Sequence, residues 1–84
     1  MNPVEYDGCS LLVVSGDLVS RETRIIAEGL GRYDGETFLI ETPEREEFDL
    51  TPYLEGLVAR PLTGIWKNKY PLCDFYVVID QEGS

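Results

Sequence analysis

Turn signals recur closely along this chain and leave mostly short apolar runs between them. Glycine-containing breaks stand at Asp7-Gly8, Gly16-Asp17, Asp34-Gly35 and Gly83-Ser84, and prolines at 3, 43, 52, 61 and 71. Short apolar runs separated by such breaks indicate mostly β structure. No internal repeat or low-complexity stretch interrupts them, and the run from about Val4 to Asp80 reads as one unit. With 84 residues the chain reads as a single small soluble domain over 1–84, too short for a two-domain enzyme or a deep substrate cavity.

The runs can be placed in order. Ser10-Leu11-Leu12-Val13-Val14 is a buried strand. Arg24–Tyr33 and Thr37–Thr42 flank Asp34-Gly35, a dipeptide suited to a type I′ hairpin turn. Phe38 and Ile40 alternate with Thr37, Leu39 and Glu41, the pattern of a half-buried strand. The polar stretch Thr42–Glu46 turns the chain into a short strand over Glu47–Leu50. Thr51-Pro52-Tyr53-Leu54-Glu55-Gly56 reads as one helical turn, with Thr51 as cap, Pro52 in the first helical position and Gly56 at the end. Leu57–Trp66 and Phe75–Asp80 supply the last two strands, joined by a polar loop over Lys67–Pro71. Leu18–Leu30 carries two readings. A helix capped by Asp17 would align Leu18, Ile25, Ile26 and Leu30, whereas Gly29 and Gly31 with Thr23, Ile25 and Ile26 favour a strand. The strand is the reading taken.

The expected fold is a mostly β, five- to six-stranded small barrel with at most one short helical turn or helix. The order of Arg24–Gly31, Glu36–Glu41, Phe48–Gly56, Leu57–Ile65 and Phe75–Ile79 resembles a small OB-fold barrel. That resemblance implies oligonucleotide or oligosaccharide binding on the middle strands. The additional strand Ser10–Val14 departs from the five-stranded pattern and leaves an SH3-like or other small barrel open. Fold likeness of this kind does not assign a function.

Charge speaks to partners. Asp and Glu number 16 against 7 Lys and Arg, for a formal net charge of −9 and a pI near 4.2. Such a balance repels both nucleic-acid phosphates and anionic membrane surfaces. No apolar run approaches the ~20 residues of a spanning helix, and Met1–Gly8 carries acids where a secretory signal would carry bases. The expected setting is the cytoplasm. There Cys9 and Cys73 would persist as two buried free thiols rather than one disulfide.

Little in the chain announces chemistry. Histidine is absent, so there is no ordinary proton shuttle and no Ser-His or Cys-His nucleophile. Glu41, Glu44, Glu46, Glu47 and Asp49 lie close together in a polar turn, where they read as a solvated face and lack the DxDxDG spacing of a calcium loop. Gly29-Leu30-Gly31 is followed by Arg32-Tyr33-Asp34 and matches no phosphate-binding motif. These glycines read as a bulge or a close backbone crossing. No enzyme activity, metal or cofactor is expected.

One stretch differs. Arg60, Trp66, Lys67, Lys69 and Tyr70 gather aromatic and cationic side chains within eleven positions. Trp, Tyr and Arg are the residues enriched at protein hot spots, and the plain alternative is a core Trp66 beside solubilising lysines. The expectation is a non-catalytic interaction module that meets a protein partner, or a second copy of itself, through a strand edge or the Trp66–Tyr70 loop. An alternative is a single-stranded nucleic-acid binder using Tyr33, Phe38, Trp66, Lys67 and Lys69, with rings stacking on bases. A third is an acidic decoy for a basic protein surface.

Overall fold

All four side chains of Leu11-Leu12-Val13-Val14 are fully buried. A strand whose consecutive residues point to opposite faces can bury every side chain only if both faces are covered, and the fold supplies both covers. The computed structural model describes residues 2–16 and 24–79. It contains strands β1 (Ser10–Ser15), β2 (Arg24–Tyr33), β3 (Phe38–Glu41), β4 (Glu47–Asp49), β5 (Val58–Pro61) and β6 (Phe75–Ile79), and helix α1 (Gly64–Lys69). Two 3₁₀ turns span Pro3–Tyr6 and Thr51–Gly56.

The strands form one mixed sheet in the order β4-β3-β2-β1-β6-β5. β1 lies in the middle, antiparallel to β2 and parallel to β6, so that Leu12 stands opposite both Glu28 and Tyr76. On one face Leu11, Val13, Phe38, Ile40, Val77 and Ile79 form a cluster with Leu50 and Leu57, which bracket the Thr51–Gly56 turn; Leu54 and Tyr6 pack against it. On the other face Leu12 and Val14 meet Leu62 and Cys73, with Trp66, Tyr70, Tyr76 and Val78 packed around them. The architecture is turns, sheet and helix, with an apolar cluster on each side of the sheet.

Several expectations need correction. The sheet does not close into a barrel: β4 and β5 are its two ends, and each pairs with one strand among the described residues. The Asp34-Gly35 connection is not a type I′ turn, which would require positive φ at both residues. Gly35 has φ +102°, but Asp34 is not in the left-handed region. The Asp34 carboxylate instead organises a longer loop, accepting the N–H groups of Glu36 at 2.9 Å and Thr37 at 2.8 Å. Thr51 does not cap its turn, because its hydroxyl accepts the Phe38 N–H at 2.9 Å and ties the turn to β3.

More than one helical element is present. The largest difference lies in the stretch expected to be one strand, Leu57–Trp66. Its strand ends at Pro61, and Gly64, with φ +63°, opens α1 across residues expected to be strand and loop. Cys73 is buried but Cys9 is only half-buried, and both are free thiols.

Arg24–Tyr33 is strand throughout, with the register slipping between Val13 and Val14 so that Ile26 is the unpaired residue of a bulge. Asp17–Thr23 and Asp80–Ser84, on which the start of the Leu18–Leu30 reading, the end of the last strand and the Gly83-Ser84 break fall, lie outside the described residues. Gly29 and Gly31 mark close crossings. A Cβ on Gly29 would strike the Glu41 backbone carbonyl, and one on Gly31 would lie 2.7 Å from the Tyr6 carbonyl oxygen.

Candidate functional site

Helix α1 has only six residues, and its position follows from the residues around it. Pro61 has no N–H to extend β5, and the left-handed Gly64 redirects the chain back over the sheet. Helical spacing then sets Trp66 and Tyr70 one turn apart, with their rings stacked at 6.1 Å and 7°. Both pack against the Leu12, Val14, Leu62 and Cys73 cluster. Ile65 and Lys69, offset by one residue along the helix, are left on its outer side. Ile65 is 75% exposed, and the Lys69 ammonium lies 5.1 Å from the Trp66 ring centroid, a cation–π contact.

Between α1 and β5 runs a groove of about 600 Å³, walled by Arg60, Pro61, Ile65, Trp66, Lys69 and Tyr76. Arg60 and Tyr76 are direct cross-strand partners, so they rise from the same face of the sheet. The groove is thus lined by two aromatic rings, Trp66 and Tyr76, and by two cations, Arg60 and Lys69. Among the described residues, ion pairs join Arg32 to Glu41 at 3.3 Å and Lys67 to Asp74 at 3.8 Å, while Arg60 and Lys69 form none.

The candidate residues divide into three groups. Arg60, Trp66 and Lys69 come together in the groove, with Tyr70 stacked against Trp66. Lys67 turns inward and donates to the carbonyls of Cys73 at 2.8 Å and Pro71 at 3.1 Å, bracing the segment that leads into β6. Tyr33 and Phe38 belong to the cluster on the other face of the sheet. Phe38 is fully buried there, Tyr33 meets it edge-on at 6.3 Å, and the Tyr33 hydroxyl donates to the Gly35 carbonyl at 3.0 Å.

Pro61, Ile65 and Tyr76 were not anticipated as groove residues. Placing Ile65 required the helix, and placing Tyr76 required the β5–β6 register.

Other features of the surface carry less. Glu44, Glu46 and Glu47 line a depression with Phe48 and Ile25, of about 370 Å³. Among the described residues no group of three or more acidic, histidine or cysteine side chains is placed to hold a metal ion. The Cys73 thiol, 3.9 Å from a Glu28 carboxylate oxygen, is pushed up to about 11, first by burial and then by that carboxylate's charge. A thiol held neutral in this way is a poor nucleophile.

Both sheet ends are blunted against pairing. β5 carries Pro61, and β4 has only three residues, two of them acidic. No described helix is long and apolar enough to cross a membrane. Comparison with protein-family models, with curated proteins and with solved structures finds no match to this chain.

Proposed function

We propose that the chain is a non-catalytic binding module that receives a protein partner in the groove between α1 and β5. The observation that carries this reading is that Arg60 and Lys69, both outside any ion pair among the described residues, line one groove with Trp66 and the exposed Ile65, Lys69 lying over the Trp66 ring. Arg and Trp in one concave surface is the composition of a protein hot spot. Docking through a strand edge has less support, because Pro61 and the acidic, three-residue β4 leave little backbone to pair. A closed OB barrel is not needed for this reading, since the groove lies between a helix and one end of an open sheet.

Nucleic-acid binding has less in its favour. It would draw on Phe38, which is fully buried, and on Lys67, whose ammonium is spent on backbone carbonyls. The decoy reading rests on exposed carboxylates alone, which solubility also explains. We place the module in the cytoplasm, where free Cys9 and Cys73 are stable as thiols.

The test is covalent capture. A benzophenone amino acid introduced at position 65, in the groove, should give a discrete protein adduct in cells that make this protein. The same group at position 4, exposed but remote in the fold, should not. A nuclease-sensitive adduct at position 65, or equal labelling from both positions, would refute the reading.

A further inference from the structure

We infer that the segment occupying this groove is acidic: a short extended stretch of another protein in which an apolar side chain is flanked by carboxylates. The inference rests on the protein-docking reading above and adds the chemistry of the partner.

Charge complementarity is its basis. The chain carries seven basic residues. Of the six described, Arg32 and Lys67 are committed to Glu41 and to Asp74 with two carbonyls, and Arg24, Arg45, Arg60 and Lys69 form no ion pair among the described residues. Of these, Arg60 and Lys69 line one groove together with Pro61, Ile65 and Trp66, and no carboxylate is among its described lining. Lys69 is already positioned by the Trp66 ring, so it loses less freedom on meeting an anion than a free lysine would. The planar Arg60 guanidinium can take a carboxylate through two parallel hydrogen bonds. Between them Ile65, Pro61 and Trp66 offer an apolar seat.

The length of β5 sets the scale of the ligand. Four residues at ~3.3 Å each give a wall of about 13 Å, enough for roughly four extended residues.

A second copy of this chain is a poorer occupant. A two-fold contact would set Arg60 and Lys69 against their own images, and each copy carries a net charge of −9. An acidic ligand also approaches a protein of its own sign. The attraction is therefore confined to within about a Debye length of the groove, ~8–10 Å at moderate salt.

The test uses the full chain and fluorescein-labelled synthetic hexapeptide pools. Each pool has one central Phe, Leu or Trp flanked by Asp and Glu, by Asn and Gln, or by Lys, and binding is read by anisotropy and by the emission of Trp66. The acidic pool should bind best. Arg60→Gln and Lys69→Gln should each weaken it about fivefold or more, by the loss of a charge-assisted contact. Arg24→Gln, which changes net charge equally but lies at the start of β2, should change it less than twofold. All three side chains are exposed, and circular dichroism of each variant checks the fold.

If the amide or lysine pool binds as well, with loss on Ile65→Ser, the acidic partner is refuted while protein docking stands. Both are refuted if no pool binds, if a single-stranded oligonucleotide outcompetes every pool, or if sedimentation shows that the chain fills the groove by self-association lost on Ile65→Ser. Equal weakening by Arg24→Gln and Arg60→Gln would reduce the effect to net charge and refute the assignment to the groove.

Discussion

The Lys67 ammonium donates to the Cys73 carbonyl at 2.8 Å and to the Pro71 carbonyl at 3.1 Å, so a cation on α1 fixes the turn that leads into β6. Asp74, at 3.8 Å, adds a weaker electrostatic contribution. The lysine therefore acts within the fold, whereas Lys69, two residues on, faces the groove.

Lys67→Met keeps the apolar stem and removes the donor. Hydrogen bonds to charged groups contribute ~1.5–3 kcal/mol when well sheltered, and the partial exposure of Lys67 puts the expected loss at about 1–2 kcal/mol. Urea denaturation followed by Trp66 emission should show a lower midpoint at unchanged slope. An unchanged midpoint would mean that the two carbonyls are equally well served by water.

Gly29→Ala should be among the most damaging small substitutions. The added carbon would run into the Glu41 backbone carbonyl, which cannot move without breaking the β2–β3 pairing. A cost of about 2–3 kcal/mol is expected, as for overpacking against a rigid neighbour. Gly56→Ala is the control. Its site has open space and no left-handed backbone, so it should be neutral or stabilise by ~0.4–1 kcal/mol through the unfolded state. Thermal unfolding of the two variants should separate by roughly 10 °C or more.

Acid should loosen the loops at Asp34 and Asp49. Asp34 is held below the usual carboxylate range chiefly by the Thr37 and Glu36 N–H groups, and Asp49 by the Thr51 hydroxyl and N–H. A lowered native pKa means that these contributions are complete above the ordinary aspartate pKa, near 4, and are lost as pH falls through the lowered native values. Stability measured by urea between pH 6 and pH 2.5 should fall less steeply below pH 4 in Asp34→Ala/Asp49→Ala than in the parent. Relief of the acidic self-repulsion is nearly common to both proteins and largely cancels in the comparison. Parallel curves would show that folding does not lower the two carboxyl pKa values.

The two thiols should react unequally. Cys73 is buried and its thiol is pushed up to about 11, so its thiolate fraction at pH 8 is on the order of a hundredfold below that of a free cysteine. Iodoacetamide at pH 8 should modify the half-buried Cys9 first, as read by peptide mass spectrometry, with both modified in guanidinium. Glu28→Gln removes one of the charges that disfavour the thiolate and should speed Cys73 modification modestly. Early modification of Cys73 in the native protein would contradict its burial.

Most of the strand content was legible locally. SLLVV announced a buried strand, FYVVI another strand, and the FLIE run a half-buried one, because apolar periodicity and β-branched residues act within a few positions. The residues of the groove were half legible. Arg60, Trp66 and Lys69 stood out by type, but Lys67 and Tyr70 could not be told from them by sequence position. A strand reading of Ile65-Trp66 also gave no way to know that Trp66 packs inward while Ile65 stays in solvent.

What the sequence by itself determined is the mostly β character, the net acidity and the lack of histidine. What only the tertiary structure decided is the parallel pairing of β1 with β6, the open ends of the sheet, and the reversal at Gly64 that lays α1 over Leu12 and Val14. The physical reason is range. Side-chain alternation and turn chemistry are set by neighbours in the chain, whereas strand order and the placement of a six-residue helix depend on which distant apolar faces can be covered together. A helix of that length has too few internal hydrogen bonds to form without the sheet beneath it, and the groove lined by Arg60 and Trp66 exists only once it has docked.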